Sequence, residues 1–287
     1  TTASLLGCGQ NDSNCTLHFL AIDRAGNIND TYYFDITIDD TYPSIDYAGG
    51  TVDNNSYSNR DWIYVNVSVI ETNEKNITFY LFNSSLDNIN TTTLDAGIRS
   101  INFTGLTSNT VYYYNVTVVD KVELVNSTET RNISLDSINP EVYGADVNDS
   151  DMIVRKADSI RINVTVNDTN INIVNVSNAT AVAMTRIGLT TQWEANTTAN
   201  ALGCDQNDSN CTLHFLAIDK AGNTNDTLSF DIIIDDIFPT IYDLKSNDTD
   251  NITSSSSLLN FTVYANDTNI DTVDLGGMSM TQSGIIW

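Results

Sequence analysis

Positive charge is scarce in this chain: 12 Lys and Arg stand against 37 Asp and Glu, a formal net charge of −25 over 287 residues. A surface this acidic repels phosphate backbones and has no basic patch to hold one, so nucleic acid is excluded as a partner. Histidine is nearly absent, with only His18 and His214. They fall at one repeat position on an outward strand face. No third ligand repeats with them, so neither zinc nor a histidine-based triad is expected. Glycine-rich phosphate loops are missing, and Gly49-Gly50 and Gly276-Gly277 read as turns. No apolar run approaches the roughly 18 residues that cross a bilayer. The start, TTASLLGCGQNDSNC, lacks the basic and apolar regions of a signal peptide. The paired carboxylates recur at repeated junctions, whereas an active site is normally built once. The chain therefore reads as non-enzymatic.

What fills the sequence is Asn, Thr, Ser and Asp, with Val, Ile, Leu and Tyr as the apolar share. Charged residues make up 17%, below the usual quarter or so. The apolar set favours strands. Four cysteines form two matching frames, Cys8 to Cys15 in CGQNDSNC and Cys204 to Cys211 in CDQNDSNC. Neither frame has a metal-binding histidine partner, so each reads as a short disulfide-closed loop.

An internal repeat governs the rest. LGCGQNDSNCTLHFLAIDRAGNINDT recurs 196 residues later as LGCDQNDSNCTLHFLAIDKAGNTNDT, and FDITIDDTYPSI recurs as FDIIIDDIFPTI. A weaker copy, VYYYNVTVVDKVELVNST, lies between them. Pro43, Pro140 and Pro239 are spaced by 97 and 99 residues, the length of one β-sandwich domain. The expected fold is all-β: tandem immunoglobulin-like sandwiches strung in series, with split half-domains at the two ends. Residues 44–140 and 141–239 are complete domains, residues 1–43 the C-terminal half of one, and residues 240–287 the N-terminal half of another. The halves are complementary, since Trp287 matches Trp193 and Thr1 matches Thr197. Two readings stay open here, a window on a longer covalent array and a subunit completed head to tail by the next copy.

Period-two alternation supports the strands. Ile63, Val65, Val67 and Val69 share one face against Tyr64, Asn66 and Ser68; Ile160, Ile162, Val164 and Val166 repeat the pattern, as do Leu259, Phe261 and Val263. The penultimate strands align Tyr112, Tyr114, Val116 and Val118 with Cys211, Leu213, Phe215 and Ala217. After Asp23 and Asp219, D-[RK]-A-G-N predicts a tight turn at Gly26 and Gly222.

N-x-[ST] sequons occur roughly two dozen times, each a possible N-glycan acceptor. Asn66, Asn163 and Asn260 recur every 97 residues on equivalent strands. Asn115 lies outward on another strand, Asn14 and Asn210 sit beside cysteines, and Asn29, Asn126 and Asn225 follow the turn before the last strand. Several of these are expected to carry glycans.

One candidate for bound chemistry is calcium at the junctions. Asp39 and Asp40 precede Pro43, Asp235 and Asp236 precede Pro239, and the middle junction has only Asp136. Asp23 or Asp219, with Asp46 or Asp243, would add oxygen ligands to the number calcium needs. The alternative is a stiff, solvated Asp-Pro linker.

The sequence strand-D-[RK]-A-G-N-x-N-[DS]-T-strand-D-D-x-x-P-x-I resembles the Ig-like domains of archaeal and bacterial surface-layer, adhesin and filament proteins. The richness in Asn, Ile and Asp with dense sequons is more similar to archaeal members. The DD-x-x-P junction is similar to the calcium-binding linkers of cadherins. This resemblance implies a structural glycoprotein, extracellular and at the cell surface, that forms a stalk, surface layer or filament with copies of itself as partners. The alternative is an adhesin or carbohydrate-binding module, for which Trp62 and Tyr64, with Tyr57 upstream, are the nearest aromatic patch.

Overall fold

The computed structural model describes residues 1–9, 13–206, 209–283 and 286. Trp287, matched above to Trp193, lies outside the described residues. Among them the only helical pieces are two 3₁₀ turns, Ser4–Leu6 and Asn200–Leu202; strands and loops make up the rest. The chain divides into two compact units, Thr1–Ile138 with Lys220–Asn223 and Asn139–Asp219 with Thr224–Trp287.

The first unit holds one closed β-sandwich. One sheet joins Ser44–Tyr47, Ile63–Ile70 and Ser100–Phe103, all antiparallel. The other runs in the order Ser56–Ser58, Arg131–Leu135, Thr110–Asp120, Glu74–Phe82, Asn88–Asp95. Its edge strand Ser56–Ser58 pairs parallel with Arg131–Leu135, unlike every other pair in this sandwich. The expected alternation is met: Ile63, Val65 and Val67 are buried and their neighbours face out. In Thr110–Asp120 every second residue from Tyr112 is buried. Ile63, Val65, Phe79, Leu81, Tyr114, Val116, Ile133 and Leu135 fill the space between the sheets. Removing each such side chain from water stabilises the fold by about 1.5–3 kcal/mol.

The second unit repeats this plan. Glu141–Val147, Ser159–Asn167, Gln192–Thr198 and Thr185–Arg186 form one sheet. Ile153–Val154, Ser229–Ile234, Ser209–Asp219, Ile171–Ser177 and Ala181–Ala183 form the other, again with a parallel edge pair, Ile153–Val154 with Ser229–Ile234. Its core contains Ile160, Ile162, Val164, Leu202, Leu213, Phe215 and Ile232. Both closed cores therefore fall within the repeats marked by the prolines.

The first unit also carries a piece with an open apolar face, and the second a piece whose apolar side chains are only partly covered. In the first, Ser13–Ile22 and Ile28–Ile38 form a lone two-stranded hairpin. Phe19 is 63% exposed there, whereas Phe215, its repeat counterpart, is fully buried. Leu6 is 51% exposed against 0% for Leu202. In the second, Thr240–Ser246 pairs with Phe261–Asn266. Ile241, Leu244 and Leu259 are exposed there. Val263, Ala265 and Val273 form a small buried cluster of their own in that second piece. Among the described residues the first hairpin pairs with no further strand, and period-two patterning presents an apolar face whether or not a partner covers it.

Candidate cation-binding junctions

Each junction begins where a penultimate strand ends on an aspartate. At the first hairpin, Asp23 Oδ1 accepts the backbone N–H of Ala25 (2.8 Å) and of Asn27 (2.9 Å), and Asn27 Nδ2 donates to Oδ2 (2.7 Å). These bonds, those from Asn27 foremost, hold the Asp23 carboxyl below its ordinary pKa. Gly26 and Gly222 sit at φ +87° and +89° in the predicted tight turn, which glycine adopts at no steric cost.

Asp120 occupies the same position in the first sandwich. Its Oδ1 accepts the N–H of Val122 (2.9 Å) and of Leu124 (2.8 Å). Leu124 stands where the hairpin has Asn27, so the side-chain donor to Oδ2 is gone. Asp120 is fully buried, and its Oδ2 has no hydrogen-bond partner.

Asn73 organises the surrounding groups. Its Nδ2 donates to Asp39 Oδ2 (2.9 Å) and its backbone N–H to Glu71 Oε1 (2.6 Å). Its carbonyl accepts the N–H of Lys121, next to Asp120 (2.8 Å). The second unit copies this at its own junction: Asn269 Nδ2 donates to Asp235 Oδ2 (2.8 Å), and its N–H to Asp267 Oδ1 (2.9 Å). Asp267 Oδ2 is buried without a partner. Between these two copies in sequence, Asp168 and Asp219 of the second unit bring carboxylate oxygens within 4.8 Å of each other.

The residues expected to ligate calcium thus separate into two groups. Asp39 and Asp235 lie in the bonded clusters. Asp40 is exposed. Asp236 faces Lys156, whose N–H donates to its Oδ1 at 3.2 Å, with Nζ 3.7 Å from Oδ2. Asp46 is exposed and accepts the N–H of Tyr47 (2.7 Å), Asp243 pairs with Lys245 (3.3 Å), and Asp23 is exposed. Glu71, Asp168 and Asp267, which the DD-x-x-P motif does not contain, stand beside Asp39, Asp219 and Asp235. Their signal is legible after the fact as [DE]-T-N: Glu71-Thr72-Asn73, Asp168-Thr169-Asn170 and Asp267-Thr268-Asn269.

The cysteines are bonded as expected, Cys8 to Cys15 and Cys204 to Cys211, with Cα separations of 5.5 and 5.7 Å. His18 and His214 are exposed. The sequon asparagines differ among themselves. Asn14, Asn29, Asn210 and Asn260 are exposed, and Asn163 is half-buried. Asn66 Nδ2 donates to Gly49 O (2.9 Å) and Asn115 Nδ2 to Thr130 Oγ1 (2.9 Å). Asn126 Nδ2 donates to Pro43 O (2.9 Å) and Asn225 Nδ2 to Pro140 O (2.8 Å). These last two fasten the turn before the last strand to the junction proline. Among the aromatics, Arg60 stacks 4.0 Å over the exposed Trp62 ring, while Tyr57 and Tyr64 are half-buried.

No protein-family model matches the chain, and no curated protein matches it in sequence. Solved structures with a similar arrangement include the fibronectin(III)-like modules of Clostridium thermocellum CbhA, 11% identical over 67% of this chain and 94% of theirs, with a TM-score of 0.39. The FN1-FN3 domains of chicken CNTN1 are also 11% identical, over 78% of this chain and 77% of theirs, at a TM-score of 0.38. An amphioxus IgVJ-C2 molecule is 10% identical over 62% of this chain and 99% of its own, at 0.33. The assignment itself rests on this chain's strand pairing: it is an all-β protein of tandem immunoglobulin-like β-sandwich modules. Among the described residues, no helix is long and apolar enough to cross a membrane.

Proposed function

We propose that this chain is a structural, non-enzymatic protein of the cell exterior, a glycosylated component of a stalk, surface layer or filament of archaeal type. The observation that carries this reading is the open apolar face of residues 1–43. Residues 1–43 expose side chains whose repeat counterparts are core, and residues 240–287 leave Ile241, Leu244 and Leu259 exposed beside a small buried cluster of Val263, Ala265 and Val273. An uncovered face with Phe19, Phe34 and Tyr32 outward favours association. The chain's own second sandwich is the template for what covers it: a segment of the 240–287 type closing on one of the 1–43 type. Supplied by a second copy, that contact is head-to-tail and propagates. The dense sequons and the two disulfide loops support an extracellular setting.

Electron microscopy of native material tests this, with filaments or a lattice expected. Isolated particles in native material, together with a purified chain that stays monomeric at millimolar concentration, would sink it. A second reading, adhesion through carbohydrate, rests on the Trp62 ring stacked by Arg60. Specific binding on a glycan array by the full chain, lost in Trp62→Ala, would favour it.

A further inference from the structure

We propose that the junction between the first hairpin and the first complete sandwich binds one divalent cation of the calcium class, with Asp39, Glu71 and Asp120 as its carboxylate ligands. This goes beyond the filament reading and does not depend on it.

Three observations converge. First, Asn73 holds Asp39 and Glu71 through one side-chain and one backbone bond, 2.9 and 2.6 Å long, and its carbonyl is bonded to the amide beside Asp120. Second, Asp120 Oδ2 is an unpartnered oxygen on a side chain with 0% exposure. A buried carboxylate oxygen left without a donor is costly, and the cost is removed by a proton or by a cation. Substitution of Leu124 for the asparagine found in the hairpin removes the donor that satisfies Asp23 Oδ2, which leaves the Asp120 oxygen free for a metal. Third, the repeats hold counterparts of these positions near one another, although the oxygens of Asp39, Glu71 and Asp120 themselves do not all lie within 4.8 Å of each other. Asp235 and Asp267 are joined by Asn269 in the same two-bond pattern. Asp168 and Asp219, counterparts of Glu71 and Asp120, approach within 4.8 Å. Asp267 Oδ2, like Asp120 Oδ2, is buried without a partner.

The donor set selects the ion. It is all oxygen, with neither histidine nor thiolate, which disfavours zinc and copper. Asp39, Glu71 and Asp120 make no ion pair with any Lys or Arg among the described residues. Three uncompensated carboxylates suit a hard dication. Carboxylates mixed with carbonyls and water in irregular geometry suit calcium better than magnesium, which demands a near-ideal octahedron.

The test is calcium chloride titrated calorimetrically into the EDTA-stripped full chain, with the number of bound ions counted by elemental mass spectrometry. Asp120→Asn keeps an oxygen for Val122 and Leu124 and is expected to bind one calcium fewer than the native chain. Glu71→Gln lies at a half-buried position and guards against misfolding of the first variant. It is expected to weaken that site about ten-fold or more, the scale on which metal sites respond to changes in their shell. Asp40→Asn, in the exposed neighbour of Asp39, is expected to leave both number and affinity unchanged. No binding at millimolar calcium overturns the proposal. So does an unchanged ion count in Asp120→Asn together with unchanged affinity in Glu71→Gln.

Discussion

Phe19 and Phe215 are the same residue at the same repeat position in the same strand motif, yet one is 63% exposed and the other fully buried. Truncating each to alanine separates what the sequence motif contributes from what the covering sheet contributes. Phe215→Ala removes a ring packed among Leu213, Ile232 and their neighbours in a closed core. Such a change costs about 3–5 kcal/mol, from lost transfer free energy and the cavity left behind. Against a domain stability of about 5–15 kcal/mol, that is a large fraction. Phe19→Ala removes a ring already mostly in water and is expected to cost about 0.5 kcal/mol or less in the dispersed chain. Hydrogen exchange read by mass spectrometry resolves the two sites, because protection in 209–219 and in 13–22 is followed separately. The expected result is a large loss of protection in the second sandwich for Phe215→Ala, and none beyond the hairpin for Phe19→Ala. Equal losses, or a loss below about 1 kcal/mol at Phe215, would refute the reasoning, since buried phenylalanines do not cost so little to truncate.

Glycopeptide mapping of native material is expected to find sugar on Asn14, Asn29, Asn210 and Asn260, whose side chains are exposed, and none on Asn126 or Asn225, whose amide nitrogens are bonded to proline carbonyls. Occupancy of both junction asparagines with the exposed four bare would reverse that ranking. Burial pushes the Tyr114 phenol up to about 12, and Tyr47 is raised further, again chiefly by burial. A phenol whose folded pKa is raised contributes its full stability below pH about 10 and loses it as pH climbs through the folded value. The first sandwich should therefore weaken progressively above pH 10. A spectrophotometric titration showing every tyrosine ionising with an ordinary midpoint while near-ultraviolet circular dichroism stays native would contradict this.

The strands and their inward faces were legible because burial on one side imposes a period of two. Ile63 through Val69 and Tyr112 through Val118 announce the core without reference to any neighbour. The disulfide frames were legible for a similar reason, being local and duplicated. The junction chemistry was only half legible. Asp39 and Asp235 stand beside prolines and attract notice. Glu71 and Asp267 follow a different strand some 32 residues on, and only strand pairing brings them to the same place. Asp40 and Asp236 share the motif, but Asp40 is exposed and Asp236 faces Lys156. The roles of Asn126 and Asn225 were hidden by their sequons. A side-chain amide bonded to a proline carbonyl more than 80 residues earlier leaves no trace in local sequence.

The short parallel pairs at the sandwich edges bear on how such a module meets tension. Ser56–Ser58 follows the entry strand Ser44–Tyr47 of the first sandwich, and it lies beside the exit strand Arg131–Leu135, pointing the same way. A pull on the two flanking chain ends loads Ser44–Tyr47 first, and once that strand yields the pull drags the two parallel strands past each other along their length. Their rungs are then loaded together rather than opened one after another as in a peeled hairpin. The same arrangement recurs at Ile153–Val154 and Ser229–Ile234. Each sandwich is thereby latched one strand inside the point where its neighbours in the chain would tug.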